Sequence, residues 1–143
     1  MDLFSNLSSR EKGTWVTLIA IVVAFSGYFS HFIENPLAGP QNLKLFIGAV
    51  IGLVVIHIVL HSIIAATEED GADAPGDERD ELIKLKASHI ASFVFGIGAL
   101  GAAHLWMIDD VTPLIMANAI LFSLVVSEVV QCVLQLYYYR AGV

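Results

Sequence analysis

The sequence predicts an all-α integral membrane protein, a four-helix bundle made of two antiparallel helical hairpins. Three observations predict it. Charge-free apolar runs occupy residues 14–32, 45–66 and 87–108, and a fourth over 113–138 is broken only by Glu128; each meets the requirement of roughly 20 residues for crossing a bilayer. The chain of 143 residues is 57% hydrophobic with a mean hydropathy of +0.75, too little polar surface to coat a water-soluble globule. The runs also lack the polar residue at every third or fourth position that a soluble amphipathic helix carries. All 143 residues are read as one four-span domain.

The N-terminal MDLFSNLSSREKG reads as a short amphipathic lead lying on the inner membrane surface, with Leu3, Phe4 and Leu7 on one side. Ser8 or Ser9 is placed to cap the first helix. The first span is too long for the apolar region of a signal peptide and no small-x-small cleavage site follows it, so it is expected to be retained. Thr17, Ala20, Ala24 and Gly27 form a stripe of modest residues ending on His31, a face suited to close helix approach. Pro36 and Pro40 in ENPLAGP predict a non-helical outer loop.

The second span carries Gly48 and Gly52, then His57 and His61 in HIVLH, four residues apart and therefore on one helix face. A polar stretch, 67–86, separates the hairpins. Its first part, Glu68 to Gly76, is acidic and rich in glycine, proline and alanine, a composition that predicts a mobile loop. From Asp77, the expected N-cap, the acids Glu78, Asp80 and Glu81 fall in the first turn of the third helix, where its dipole favours them, and Arg79, Lys84 and Lys86 fall at headgroup level. The third span is dense in small residues, Ser88, Ser92, Gly96, Gly98, Gly101, Ala102 and Ala103. Its GIGALG string reads as helix packing and not as a dinucleotide fingerprint, since no strand precedes it. Pro113 opens the fourth span, where a missing N–H costs nothing.

Arg10, Lys12, Arg79, Lys84, Lys86 and Arg140 fall on one side of this path and Lys44 alone on the other. The positive-inside rule therefore puts both termini and the 67–86 loop in the cytoplasm. The net charge of −7 does not oppose this, because acids count little in that rule, and an acidic loop argues against nucleic acid as a partner.

Chemistry within the bilayer would rest on its ionisable residues, which are costly there. Counting about 1.5 Å per residue from the outer boundary, His57 lies about 18 Å deep, Glu128 about 22 Å, His61 about 24 Å and His89 about 27 Å. His31 and His104 lie about 5 Å from that boundary and are able to face each other. Glu128, Gln131, Cys132 and Gln135 form one polar stripe on the fourth span. Three readings compete. In one, the groups satisfy one another, with His57 paired to Glu128 and clipping span two to span four. In another, His57 or His61 pairs with His89 as bis-histidine ligands of a haem b, or these intramembrane histidines bind a metal, with Glu128 a further cofactor-binding candidate. In the third, Glu128 serves a small proton-coupled transporter. HIVLH lacks the glutamate of the zinc-protease motif, Cys132 is the sole cysteine and has no base nearby in sequence, and neither a nucleophile elbow nor a phosphate-binding loop is present. No residue is assigned a catalytic or definite metal-ligating role.

Asp77-Glu-Arg-Asp80 followed by Ile83, Lys84 and Lys86, and the ending Tyr138-Tyr-Arg140-Ala-Gly142, resemble a group of small bacterial and archaeal four-span proteins of the DUF2178-like kind. The resemblance covers mainly the second half. It implies a prokaryotic cytoplasmic (inner) membrane and brings no activity with it. The sequence thus points to a non-enzymatic tetraspan acting by association in the lipid bilayer, as a homo-oligomer or as a membrane subunit beside other subunits.

Overall fold

The computed structural model describes residues 8–36, 39–67, 78–108 and 111–141. They form four helices, α1 (Ser9–Glu34), α2 (Gly39–Thr67), α3 (Glu78–Ile108) and α4 (Pro113–Ala141), with no strand among the described residues. All four are long and apolar enough to cross a membrane. At 1.5 Å per residue they run about 39 to 47 Å, so each overshoots a hydrocarbon core of about 30 Å and carries its ends into the headgroup layers.

Local chemistry sets the helix ends. Ser8 caps α1 through a reciprocal box: its hydroxyl accepts the Glu11 N–H at 3.2 Å, and the Glu11 carboxylate accepts the Ser8 N–H at 3.0 Å. The first turn of α3 holds Glu78, Asp80 and Glu81 as expected. Pro113 opens α4 behind Thr112, whose hydroxyl accepts the Ile115 N–H at 3.4 Å. The stretch between the first two spans departs from expectation. Gly39 and Pro40 are the first residues of α2, so Pro40 does not hold the chain out of helix; its missing N–H is one the first turn leaves unpaired in any case. The expected amphipathic lead over residues 1–7, the expected mobile loop at 68–76 and the proposed cap Asp77 lie outside the described residues.

The hairpins pair α1 with α2 and, most extensively, α3 with α4; α1 against α4 joins them. The spatial order is therefore α2, α1, α4, α3, and no extended interface closes α2 onto α3. The α1-centred core is Ile21, Phe25 and Tyr28, with Phe46, Ala49, Val50 and Leu53 packed on it from α2 and Leu121, Val125 and Val129 from α4. Edge-to-face rings reinforce both sides, Tyr28 on Phe46 at 5.9 Å and Phe29 on Phe122 at 5.2 Å between centroids.

The other hairpin is held by small residues. Ile83, Ala87, Ala91 and Ala102 are buried along one side of α3, the side turned to α4. At Gly98 the backbones come so close that a methyl group there would stand 2.6 Å from Cβ of Ser123, so only glycine fits. By contrast, none of the apolar stretch of α2 is buried. Ile47, Ile51, Val54, Val55 and Ile58 stand exposed along it, as lipid contact allows.

Candidate intramembrane polar site

His57 is turned toward α1. Its Nε2 lies 3.0 Å from Oγ1 of Thr17. That hydroxyl also donates to the Gly13 carbonyl at 3.0 Å, an arrangement that the Nε2–H tautomer of His57 completes. Thr17 had been expected only as a small packing residue; it is the group that makes a histidine tolerable at this depth.

The expected pairing of His57 with Glu128 is not formed. Glu128 is exposed on α4, a helix that shares no extended interface with α2, and no direct hydrogen bond joins the two residues. Similar depth is not enough to pair them: His57 is about 27 Å from the start of α2 and Glu128 about 22 Å from the start of α4, but α2 and α4 are not packed neighbours.

The remaining candidates are dispersed. His89 is exposed on α3, its ring edge-on to Phe93 at 5.1 Å. His57 and His89 therefore stand on helices that do not pack together, and one chain does not assemble the bis-histidine pair that haem ligation requires. The side chain of His61 lies outside what the structure describes. No group of three His, Cys, Asp or Glu side chains suited to a metal ion occurs among the described residues. His31 and His104 do not face each other across a packed interface: they belong to α1 and α3, and His104 is exposed. The polar stripe of α4 divides, with Cys132 and Gln135 buried and Glu128 exposed. Gln135 Oε1 accepts a bond from Thr14 of α1 at 3.4 Å.

Two polar constellations were not anticipated. The hydroxyl of Tyr28 donates to Oδ1 of Asn118, a buried bond between α1 and α4, while the Asn118 amide donates to the Leu114 carbonyl at 2.9 Å. A lone asparagine in an apolar run is itself the signal, since at bilayer depth an amide must find partners. Beside this pair an apolar cleft of about 270 Å³ opens between α2 and α4, lined by Asn42, Phe46, Leu114 and Leu121 among others.

The second constellation ties three helix ends together. Nε of Arg10 lies 2.9 Å from Oδ2 of Asp80, the Tyr139 side chain stands beside Asp80, and Arg79 donates to the Tyr139 carbonyl at 3.4 Å. The arrangement can fasten helices and position an acidic loop; it does not bring a nucleophile and a base together.

The two segments that carried the sequence resemblance, Asp77-Glu-Arg-Asp80 and Tyr138-Tyr-Arg140, thus meet in space through Arg79, Asp80 and Tyr139. No curated protein and no solved structure matches the chain. The family model described as "Predicted membrane protein (DUF2178)" matches residues 10–142, from the arginine paired with Asp80 to just past the end of α4, and the chain, with its four helices able to cross a membrane, belongs to that family.

Proposed function

We propose that the protein is a non-enzymatic tetraspan that works by association, as a homo-oligomer or as the membrane subunit of a larger assembly, in a prokaryotic cytoplasmic membrane with both termini and the 67–86 loop in the cytoplasm. The observation that carries this reading is the surroundings of the glycines. A Cβ built at Gly27, Gly48, Gly52, Gly96 or Gly101 meets nothing within 4 Å, so the fold of one chain makes no use of their smallness. Glycine within a helix costs about 1 kcal/mol relative to alanine, and in membranes small residues mark faces where a second helix approaches closely. The exposed face of α2, with Gly48 and Gly52 one turn apart, is such a surface. The acidic 67–86 loop adds a docking segment on the basic side of the membrane.

The test is the native mass of the protein in lipid nanodiscs, for the natural chain and for Gly48→Leu with Gly52→Leu. The reading expects a complex in the first and its loss or weakening in the second. A natural chain that is monomeric at every concentration and brings no other protein with it from its native membrane would end it. Reporters inserted at Gly71 and fused after Val143 should both report cytoplasm, and one at Leu37 the opposite side.

A further inference from the structure

Resting on the association reading above, we infer that the occupant of the Glu128 face of α4 is a second copy of this chain, whose α3 presents His89 and Ser92 to the carboxylate. Glu128 is exposed and lies about 20 Å from either end of α4, too far for its side chain to reach water at the helix ends. A carboxylate facing lipid at that depth is costly, and among the described residues no hydrogen bond satisfies it.

The complementary groups stand on the free side of α3. Ile83, Ala87, Ala91 and Ala102 turn toward α4, and His89, two residues from both Ala87 and Ala91, points the opposite way. Ser92 follows three residues on, and Gly96 seven residues on, along the same side. His89 and Ser92 are exposed, and Ser92 at present donates only to the carbonyl of Ser88 on its own helix, at 2.8 Å. Gly96 has open space where a Cβ would be, which lets another helix approach that side.

Depth selects these partners. A two-fold axis along the membrane normal leaves every residue at its own depth, so groups that meet across it must already be level. Gly98 stands opposite Ser123, and α3 and α4 run antiparallel. Glu128 is five residues from Ser123 and Ser92 six from Gly98, which makes them level to within about 2 Å; His89 is about 6 Å farther along. Of the other basic side chains, Lys86 is about 10 Å away along the axis and His104 lies in the opposite half. A carboxylate only accepts hydrogen bonds, and the serine hydroxyl and imidazole N–H supply two donors on one face. Under two-fold symmetry the contact occurs twice, Glu128 of each copy on Ser92 and His89 of the partner subunit, and α3 gains on its free side the neighbour its own chain does not provide.

The experiment uses the full chain with Cys132→Ala. One tagged copy carries Glu128→Cys and a differently tagged copy carries Ser92→Cys; both are co-expressed, oxidised in membranes and scored for mixed disulfide, with native mass measured on the same sample. Mixed cross-linking should exceed by tenfold or more that of Glu128→Cys with Met107→Cys, and Glu128→Gln alone should raise the dimer dissociation constant about tenfold, with His89→Leu adding little to it. Intact homo-oligomers without enriched mixed disulfide overturn the inference and leave the association reading standing. A complex whose second component is a different protein also overturns it while keeping that reading, and a monomer that brings no other protein with it overturns both.

Discussion

Arg10 and Asp80, seventy residues apart in sequence, meet with Nε 2.9 Å from Oδ2, which joins the start of the first helix to the start of the third across the end of the fourth. Their side chains remain 30% and 16% exposed, so solvent screens the pair and its worth is about 1 kcal/mol. Asp80→Asn should lower the unfolding temperature in lipid by a few degrees. Exchanging the charges, Arg10→Asp with Asp80→Arg, should recover part of that loss, and a double-mutant cycle with no coupling would show the contact to be incidental.

Gly98 provides a sharper test of the α3 and α4 crossing. Gly98→Ala forces a methyl against Ser123 and should cost about 1 to 3 kcal/mol, the range of overpacked cores. The exchange Gly98→Ala with Ser123→Gly should restore most of it. Gly96→Ala, with open space at its Cβ, should not destabilise a single chain and should stabilise it by up to about 1 kcal/mol through helix propensity. Equal effects at the two glycines would mean that the crossing lies elsewhere.

Tyr28→Phe removes a hydroxyl and leaves Oδ1 of buried Asn118 without its donor from α1. The expected cost is about 1 kcal/mol, given that hydrogen bonds between membrane helices average about 0.6 and reach about 1.7 kcal/mol. Tyr28→Phe with Asn118→Leu should be less damaging than the sum of the single changes, because an apolar pair leaves no orphaned group. Reversible unfolding in mixed micelles is the measurement.

His57 and Glu128 should behave independently. Coupling between His57→Leu and Glu128→Leu below about 0.3 kcal/mol is expected, whereas His57→Leu and Thr17→Val should couple by about 0.5 kcal/mol or more. The reverse ranking would restore the internal clip between α2 and α4.

These cases show which features the sequence makes legible. Four long apolar runs specify four spans, because in a bilayer the backbone has to be satisfied within each helix, and Pro113 marks the start of α4 directly. Which helices are neighbours is not legible in the same way. Lipid-facing and protein-facing side chains are both apolar, so periodicity does not separate them, and the row α2, α1, α4, α3 had no signature in the spans. The position of Glu128 on an exposed face was hidden for that reason. Lys44 and Pro40 look like loop residues and are helical; the similar depth of His57 and Glu128 was legible, and that their helices are not packed neighbours was not. The ion pair of Arg10 with Asp80 had no local spacing to announce it, whereas Asn118 did carry a signal, an amide with nowhere to hide.

The junction of α1 with α4 has a consequence for biogenesis. Each hairpin is assembled from neighbours in sequence, so both are able to dock as soon as their own two helices leave the insertion machinery, and the first helix must then wait for the last before the halves join. Its partner-facing groups, Thr14 and Tyr28, stay unmatched by Gln135 and Asn118 for the whole synthesis of α3. Chain halves divided within 68–77 and made as separate polypeptides are therefore expected to find each other in the membrane, with the hydrogen bonds of Thr14 and Tyr28 as the recognition code.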